Sequence, residues 1–338
     1  MAHRASPATA ILRRRQALGL MAAIGCAAGT PARAEEAWPA RPIKLVVPWP
    51  AGGPTDIFGR VVARELAARL GVPVVVDNRA GATGTIGVQH VARSQADGTT
   101  LLFANTTAVI GSIAALGEAP KPFDPVADFA PLGLLVETAV VLWAHQSTGL
   151  ASFEQFLARA RDRAQPPVPF GTTGSGAVSE LAVEQLGRHF GLNLLKVPYR
   201  GTAPQVADLA AGHVQVGAAD YPVAEGHVQS GRLRPLLVIG KERLPELPDT
   251  PTSAEYGITE PDFTIWNGAF APAATPAPIL ARLRQELQQI GRGDAFRAVA
   301  EGKGNRLIFQ AGAEATARLQ AELAGRRAFD REASAHQG

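Results

Sequence analysis

Apolar residues along the chain fall into short continuous runs and longer stretches of helical spacing, and the two kinds alternate. Residues 43–49 form a short apolar run that ends among prolines and glycines, which predicts a buried strand. Residues 55–70 carry Ile57, Val61, Val62, Leu66 and Leu70 at helical spacing, and Gly71 stands where a C-cap belongs. Residues 74–76 and 101–104 read as further strands, with a second helix over 85–94 between them. Strand, helix, strand, helix, strand predicts a parallel sheet with right-handed crossovers.

The alternation resumes after residue 150. Helices are predicted over 152–163, 177–190, 204–211 and 223–230. Strands are predicted to end at Phe170 and to cover 194–197, 214–218 and 236–239. Ser152 and Gln155 have the spacing of a capping box. This second series predicts a second sheet. Residues 263–270 are strand-like, and amphipathic helices over 279–290 and 312–329 follow. Periodicity leaves open which sheet those late helices cover.

Composition changes the picture at the N-terminus. Residues 1–34 hold five arginines and no acid, with Arg13–Arg15 ahead of an apolar centre and Ala32-Arg33-Ala34 at the end. A basic start, a short apolar run and small residues at the cut describe a cleaved export leader, too short to span a bilayer. Arg14-Arg15 leaves the general secretory and twin-arginine routes both open. The chain has 33 basic and 30 acidic residues; without the five leader arginines, 28 basic residues face 30 acidic ones, a net charge of −2. The basic balance that would suggest nucleic acid therefore sits in the discarded segment. The single cysteine, Cys26, leaves with it, so no disulfide or thiolate chemistry is expected afterwards. About 300 residues remain, roughly two domains' worth.

Three segments share one design of strand, glycine-rich loop and helix. They are Trp49-Pro50-Ala51-Gly52-Gly53-Pro54-Thr55-Asp56, Asn78-Arg79-Ala80-Gly81-Ala82-Thr83-Gly84-Thr85 and Gly171-Thr172-Thr173-Gly174-Ser175-Gly176-Ala177. Glycine lets backbone approach a ligand, and a helix start offers unpaired N–H groups at the positive end of its dipole. Open parallel sheets bind ligands at the carboxyl ends of their strands. Such loops, split between two sheets, suit a carboxylate or phosphate that must be released again. One such loop alone would be only a tight turn.

Enzymatic readings fit less well. Ser175 is not a nucleophile elbow, because Thr173 and Ala177 stand where G-x-S-x-G needs glycines, and Gly81-x-x-Gly84-x-x-Gly87 is not a dinucleotide fingerprint. His90, His145, His189, His213 and His227 show no metal-ligand spacing. Asp56 reads better as a first-turn acid favoured by the helix dipole than as a catalytic carboxylate. No catalytic residue, metal or cofactor is expected.

These segments resemble the Bug family, the extracytoplasmic solute receptors of tripartite tricarboxylate transporters. The resemblance rests on Trp38-Pro39-Ala40-Arg41-Pro42-Ile43, on the first two glycine loops, and on Ala96-Asp97-Gly98-Thr99. It continues through Val197-Pro198-Tyr199-Arg200-Gly201, Leu247-Pro248-Asp249-Thr250-Pro251-Thr252 and Trp266-Asn267-Gly268, spanning most of the chain after the leader. The resemblance implies an α/β, type II periplasmic-binding-protein fold: two Rossmann-like lobes joined by two crossover strands, with the ligand cleft between them. It implies crossings near 136–143 and 263–270, one lobe from 35–138 plus 266–338, and the other from 139–265.

The contacts carried over by motif are Gly52, Gly53, Pro54, Thr55 and Asp56, with Ala82, Thr83 and Gly84 nearby. From the second lobe they are Thr172, Thr173, Ser175, Gly176 and Ala177. One departure concerns residues 217–222. Gly217-Ala218-Ala219-Asp220 stands where family members commonly carry a bulky pair before the acid. Asp220 is expected either to meet an ammonium or hydroxyl of the ligand or to cap the following helix. The implied function is periplasmic capture of a small carboxylate by lobe closure and its delivery to membrane transporter subunits, by a monomer that binds no nucleic acid. A receptor for a membrane sensor kinase, and an exported hydrolase, are the alternatives.

Overall fold

The computed structural model describes residues 38–114, 116, 119–174, 176–259, 263–302 and 304–335. The leader and Cys26 lie outside the described residues. Both sheets belong to one compact unit that begins at Arg41.

The chain opens with β1 (Ile43–Val47), α1 (Pro54–Leu70), β2 (Val74–Asn78), α2 (Thr85–Ala92) and β3 (Thr100–Asn105). Strands β2 and β3 both pair with β1 in parallel, as the alternation predicted. Pro54 sits at the first position of α1, where its missing N–H costs no helical bond. Gly71 ends the helix at φ 71° with its N–H on the Ala67 carbonyl. Phe58, Val61, Val62 and Leu66 face the core, whereas Ile57, expected on that face, is 46 % exposed. The rest of the predicted stripe is kept at Val61, Val62 and Leu66, and Phe58 fills the place given to Ile57.

Next come β4 (Phe129–Thr138), β5 (Val140–His145), α3 (Phe153–Arg161), β6 (Val168–Thr172), α4 (Val178–Phe190) and β7 (Leu194–Pro198). Then follow α5 (Thr202–Ala210), β8 (Val216–Asp220), α6 (Tyr221–Gln229) and β9 (Leu233–Ile239). Half of the capping box forms at α3: the Ser152 hydroxyl accepts from the Gln155 N–H at 3.3 Å, while the Gln155 side chain accepts from the Ala151 N–H, one residue before the cap, at 2.8 Å. The chain closes with β10 (Ile265–Pro272), α7 (Ala277–Arg292), α8 (Asp294–Ala300), β11 (Asn305–Gln310) and α9 (Gly312–Ala335).

The first sheet has the order β11-β4-β10-β3-β1-β2 and the second β7-β6-β8-β5-β9. Neither is purely parallel, which corrects the simpler expectation. Strand β10 runs antiparallel to β3 and β4, and β5 antiparallel to β8 and β9. The reason is the crossing. Strand β4 leaves the first sheet at Thr138 and β5 enters the second at Val140, with Ala139 alone between them. Strand β10 returns and pairs beside the departure point, Ile265 against Thr138 and Trp266 against Glu137. Strands that pass between sheets run against the strands they join.

An ionic cluster around the buried Glu137 pins this junction. Glu137 receives Arg306 and Arg318, and Arg318 also bonds Glu322 at 2.7 Å. The Trp266 indole N–H donates to the same Glu322 at 2.8 Å. Strand β5 and its sheet carry apolar layers on both faces, one around Phe153, Phe156 and Phe170, the other around Trp143, Val206 and Leu209. The first sheet is covered by a layer that includes Val88, Ile110, Trp266 and Leu319, so α9 packs on the first sheet. That settles the open question about the last helix.

Candidate functional site

Loop one joins β1 to α1 and is built around Asp56. Its carboxylate accepts from the Gly52 N–H at 2.9 Å, Arg60 Nε at 2.8 Å and Asn78 Nδ2 at 2.8 Å. Asn78 also donates to the Trp49 carbonyl at 3.0 Å, so Asp56 and Asn78 together hold both ends of the loop. Burial pushes the Asp56 carboxyl up, but its three donors and the Arg60 charge outweigh that and hold it below the ordinary value. Asp56 is therefore the loop's internal brace, 2 % exposed, and does not line the cavity beyond it. Gly53, Pro54 and Thr55 do line it, and the Thr55 hydroxyl donates to Asn267 at 2.8 Å.

Loop two follows β2. Gly81, Ala82, Thr83 and Gly84 have φ of 135°, 47°, 54° and 91°. Two consecutive non-glycine residues in the left-handed region, one of them β-branched, cost of order 1–3 kcal/mol each. Close packing accounts for the shape: a Cβ on Gly84 would meet that of Ala108 at 2.5 Å. Ala82, Thr83 and Gly84 do not line the cavity. Instead Thr83 reaches loop three, its hydroxyl 3.4 Å from where a Cβ on Gly174 would lie.

Loop three follows β6. Thr172 is fully buried and its carbonyl accepts from the Tyr199 N–H at 2.9 Å, so it serves the sheet. Thr173 lines the cavity and shares a 2.9 Å hydroxyl bond with Ser179. Ser175 lies outside the described residues. Gly176 and Ala177 are turned away from the cavity, toward the segment that follows β3. A Cβ on Gly111 would lie 2.4 Å from the Gly176 carbonyl, which also accepts from Arg326 at 3.3 Å. The Val178 N–H reaches the Thr107 hydroxyl at 3.4 Å.

Between these loops lies a cavity of about 620 Å3, its open mouth included. One wall is Trp49–Ala51 and Gly53–Thr55 with Asn105, Thr107 and Ile265; Gly52, predicted as a contact, does not line it and spends its N–H on Asp56. The other wall is Thr173, Asp220 and the Arg200–Pro204 turn from the second sheet. That turn was quoted above for its motif but not read as part of the site. It repeats the strand, glycine, helix design, with Gly201 at φ 117° ahead of α5. Two helix starts, at Gly53–Thr55 and Gly201–Pro204, thus border one cavity; Pro54 and Pro204 have no N–H, so the backbone donors at these starts are those of Gly53, Thr55, Gly201, Thr202 and Ala203. Asn105 and Thr107 were also missed. Asn105 ends β3 and Thr107 begins the helical segment after it, and only the pairing of β3 between β1 and β10 brings them to the cleft.

Asp220 ends β8 and occupies the N-cap position of α6 at 7 % exposure, yet its side chain makes no capping bond. Pro222, in the first turn, has no N–H to offer. Burial pushes the Asp220 carboxyl up to about 6, opposed only by its own backbone N–H. Of the two expectations for this residue, capping by side chain is not realised. No group of three or more His, Cys, Asp or Glu that could hold a metal occurs among the described residues.

A model of the tripartite tricarboxylate transporter family receptor matches residues 58–327. Protein BugT of Bordetella pertussis is 34 % identical over 255 residues, 75 % of this chain and 77 % of that protein. The solved structure of the periplasmic binding protein BugD superposes with a TM-score of 0.79 at 30 % identity, covering 88 % of this chain and 99 % of that one. A protein of R. palustris solved with adipate gives a TM-score of 0.80 at 28 % identity, covering 88 % and 98 %.

Proposed function

The chain belongs to the tripartite tricarboxylate transporter receptor family, and from that membership we propose that it captures a small carboxylate in the periplasm and hands it to membrane transporter subunits. The observation that carries this reading is the cavity bordered by two helix N-termini from two sheets. Backbone N–H groups at those starts suit reversible capture of an anion, and Arg200 on the same cavity adds a positive charge. Gly53, Pro54, Thr55, Thr107, Thr173, Thr202 and Asp220 are the proposed contacts. The pair of crossing strands supports a division into lobes at 35–138 plus 266–338 and 139–265. Bending at Ala139, between β4 and β5, would open and close the cleft.

A ligand that touches both walls favours the closed arrangement by the difference in its affinity for the two forms. Asp56, Ala82, Thr83, Gly84, Gly176 and Ala177 act behind the walls, shaping the loops and the seam between them. Export with removal of residues 1–34 belongs to the same proposal. Among the described residues, no nucleophile lining the cavity is seen paired with a base: Thr173 shares its hydrogen bond with the Ser179 hydroxyl. Binding without turnover is the proposed activity.

Native mass spectrometry of the freshly purified protein tests this. The proposal expects a bound small acid, released intact on denaturation and rebound on addition. A ligand that is neutral, or one that is recovered chemically altered, would count against it.

A further inference from the structure

We propose that the ligand carries an ammonium group as well as a carboxylate, and that Asp220 receives the ammonium. The inference rests on the receptor reading above and adds the chemistry of the ligand's other end. Asp220 lines the cavity while more than nine-tenths buried. Its position at the head of α6 would ordinarily give its oxygens a helix N–H, but the side chain accepts no such bond. Pro222 removes one of the two usual donors. Arg200 lines the same cavity and yet does not bear on this carboxylate; only its own backbone favours its ionised form.

A buried carboxylate met only by its own backbone N–H is costly, and proteins seldom keep one without a use for it. Facing a cavity, it is a ready acceptor. An ammonium matches it best, because it brings opposite charge and up to three donors to a carboxylate on which Arg200, the cation lining the same cavity, does not bear. A hydroxyl supplies one donor and no charge. A second ligand carboxylate turned toward Asp220 would be repelled. The ligand therefore lies with its carboxylate toward the helix starts at Gly53–Thr55 and Gly201–Pro204 and its ammonium toward Asp220. That makes it an amino acid rather than an amine-free di- or tricarboxylate.

The test is titration calorimetry of the ligand-stripped chain with probes matched except at one substituent. The sets are succinate, malate and aspartate; glutarate and glutamate; propionate, lactate, alanine and β-alanine. In at least one set the amine-bearing acid should bind at least about tenfold more tightly than its amine-free partner. Asp220→Asn should cut that ratio to less than about threefold while leaving the amine-free acid bound as well or better. Circular dichroism confirms that the variant is folded, and Asp220→Ala serves if it is not. An amine-free or hydroxy acid that binds as tightly as the amine, or a ratio that Asp220→Asn leaves unchanged, overturns the inference while the carboxylate receptor stands. If no acid of any set binds the unaltered chain, the receptor reading fails and this inference with it.

Discussion

The backbone N–H of Val178 donates to the hydroxyl of Thr107 at 3.4 Å, across a seam where the segment after β6 meets the segment after β3. Thr107 also lines the ligand cavity, so one side chain touches both the seam and the site. Removing its hydroxyl while keeping its shape should loosen both. Thr107→Val is expected to weaken ligand binding about three- to tenfold, since a hydrogen bond of this kind contributes about 0.5–1.5 kcal/mol. Calorimetry measures the affinity, and an unchanged value would remove Thr107 from the closed arrangement.

Gly111 gives a sharper probe of closure. A Cβ there would lie 2.4 Å from the Gly176 carbonyl, a backbone atom with no easy way to retreat. Under the proposed closure, with this seam parting as the cleft opens, Gly111→Ala should disfavour the closed form and leave the open form intact. The expected result is at least a tenfold loss of ligand affinity with a melting temperature within a few degrees of the parent. Small-angle scattering should also show less compaction on adding ligand. Normal compaction in the variant would mean that the seam does not gate binding.

Asp56 should behave as a structural residue. Its carboxylate takes three donors while buried, so Asp56→Ala strands Gly52, Arg60 and Asn78 and should cost about 2–4 kcal/mol of stability. Its folded pKa is depressed. The stability it contributes is therefore present above the ordinary value of 3.8 and lost as pH falls through the folded value. Denaturant unfolding of parent and variant at pH 7 and pH 3 checks this; the difference between them should shrink at the lower pH.

Asp220 has the opposite sign. Its folded pKa is raised from 3.8 to about 6, so between those values the unfolded chain has given up its proton and the folded chain has kept it. Stability falls as pH rises through that window and levels off above about 6. The ligand-free Asp220→Asn variant should accordingly be more stable than the parent at pH 7.5, by up to about 3 kcal/mol, and nearly equal to it at pH 4. Thermal unfolding at the two pH values measures it. A variant less stable than the parent at pH 7.5 would show that the carboxylate has a partner within the fold.

The parts of the site legible in the sequence were those whose geometry is local. Gly53, Pro54 and Thr55 reach the cavity because a glycine turn and a helix start place them there, and those features are written in consecutive residues. Asp56 illustrates the limit. An acid in a helix's first turn is visible in the sequence, but the direction of its carboxylate depends on Asn78, across the sheet on β2. Asn105 and Thr107 were invisible because their place at the cleft follows from strand order, which hydrophobic periodicity does not report. The antiparallel strands were missed for a similar reason. Strands β4 and β5 are apolar on both faces and read only as a crossing, and β11 has no clear alternation. The Arg200–Pro204 turn was legible in principle, since it repeats the glycine-loop design already recognised three times.

The central claim, reversible capture of a carboxylate between two helix starts, is tested most directly by comparing acids with their uncharged amides. Thermal unfolding of ligand-stripped protein would be followed against a panel of small carboxylic and amino acids, each paired with its amide. A ligand at ~100 times its dissociation constant adds about 2.7 kcal/mol of stability, a shift well above noise. The account predicts a saturable rise in melting temperature with at least one acid and little or none with its amide. Equal shifts from an acid and its amide, or no shift from any acid, would contradict it.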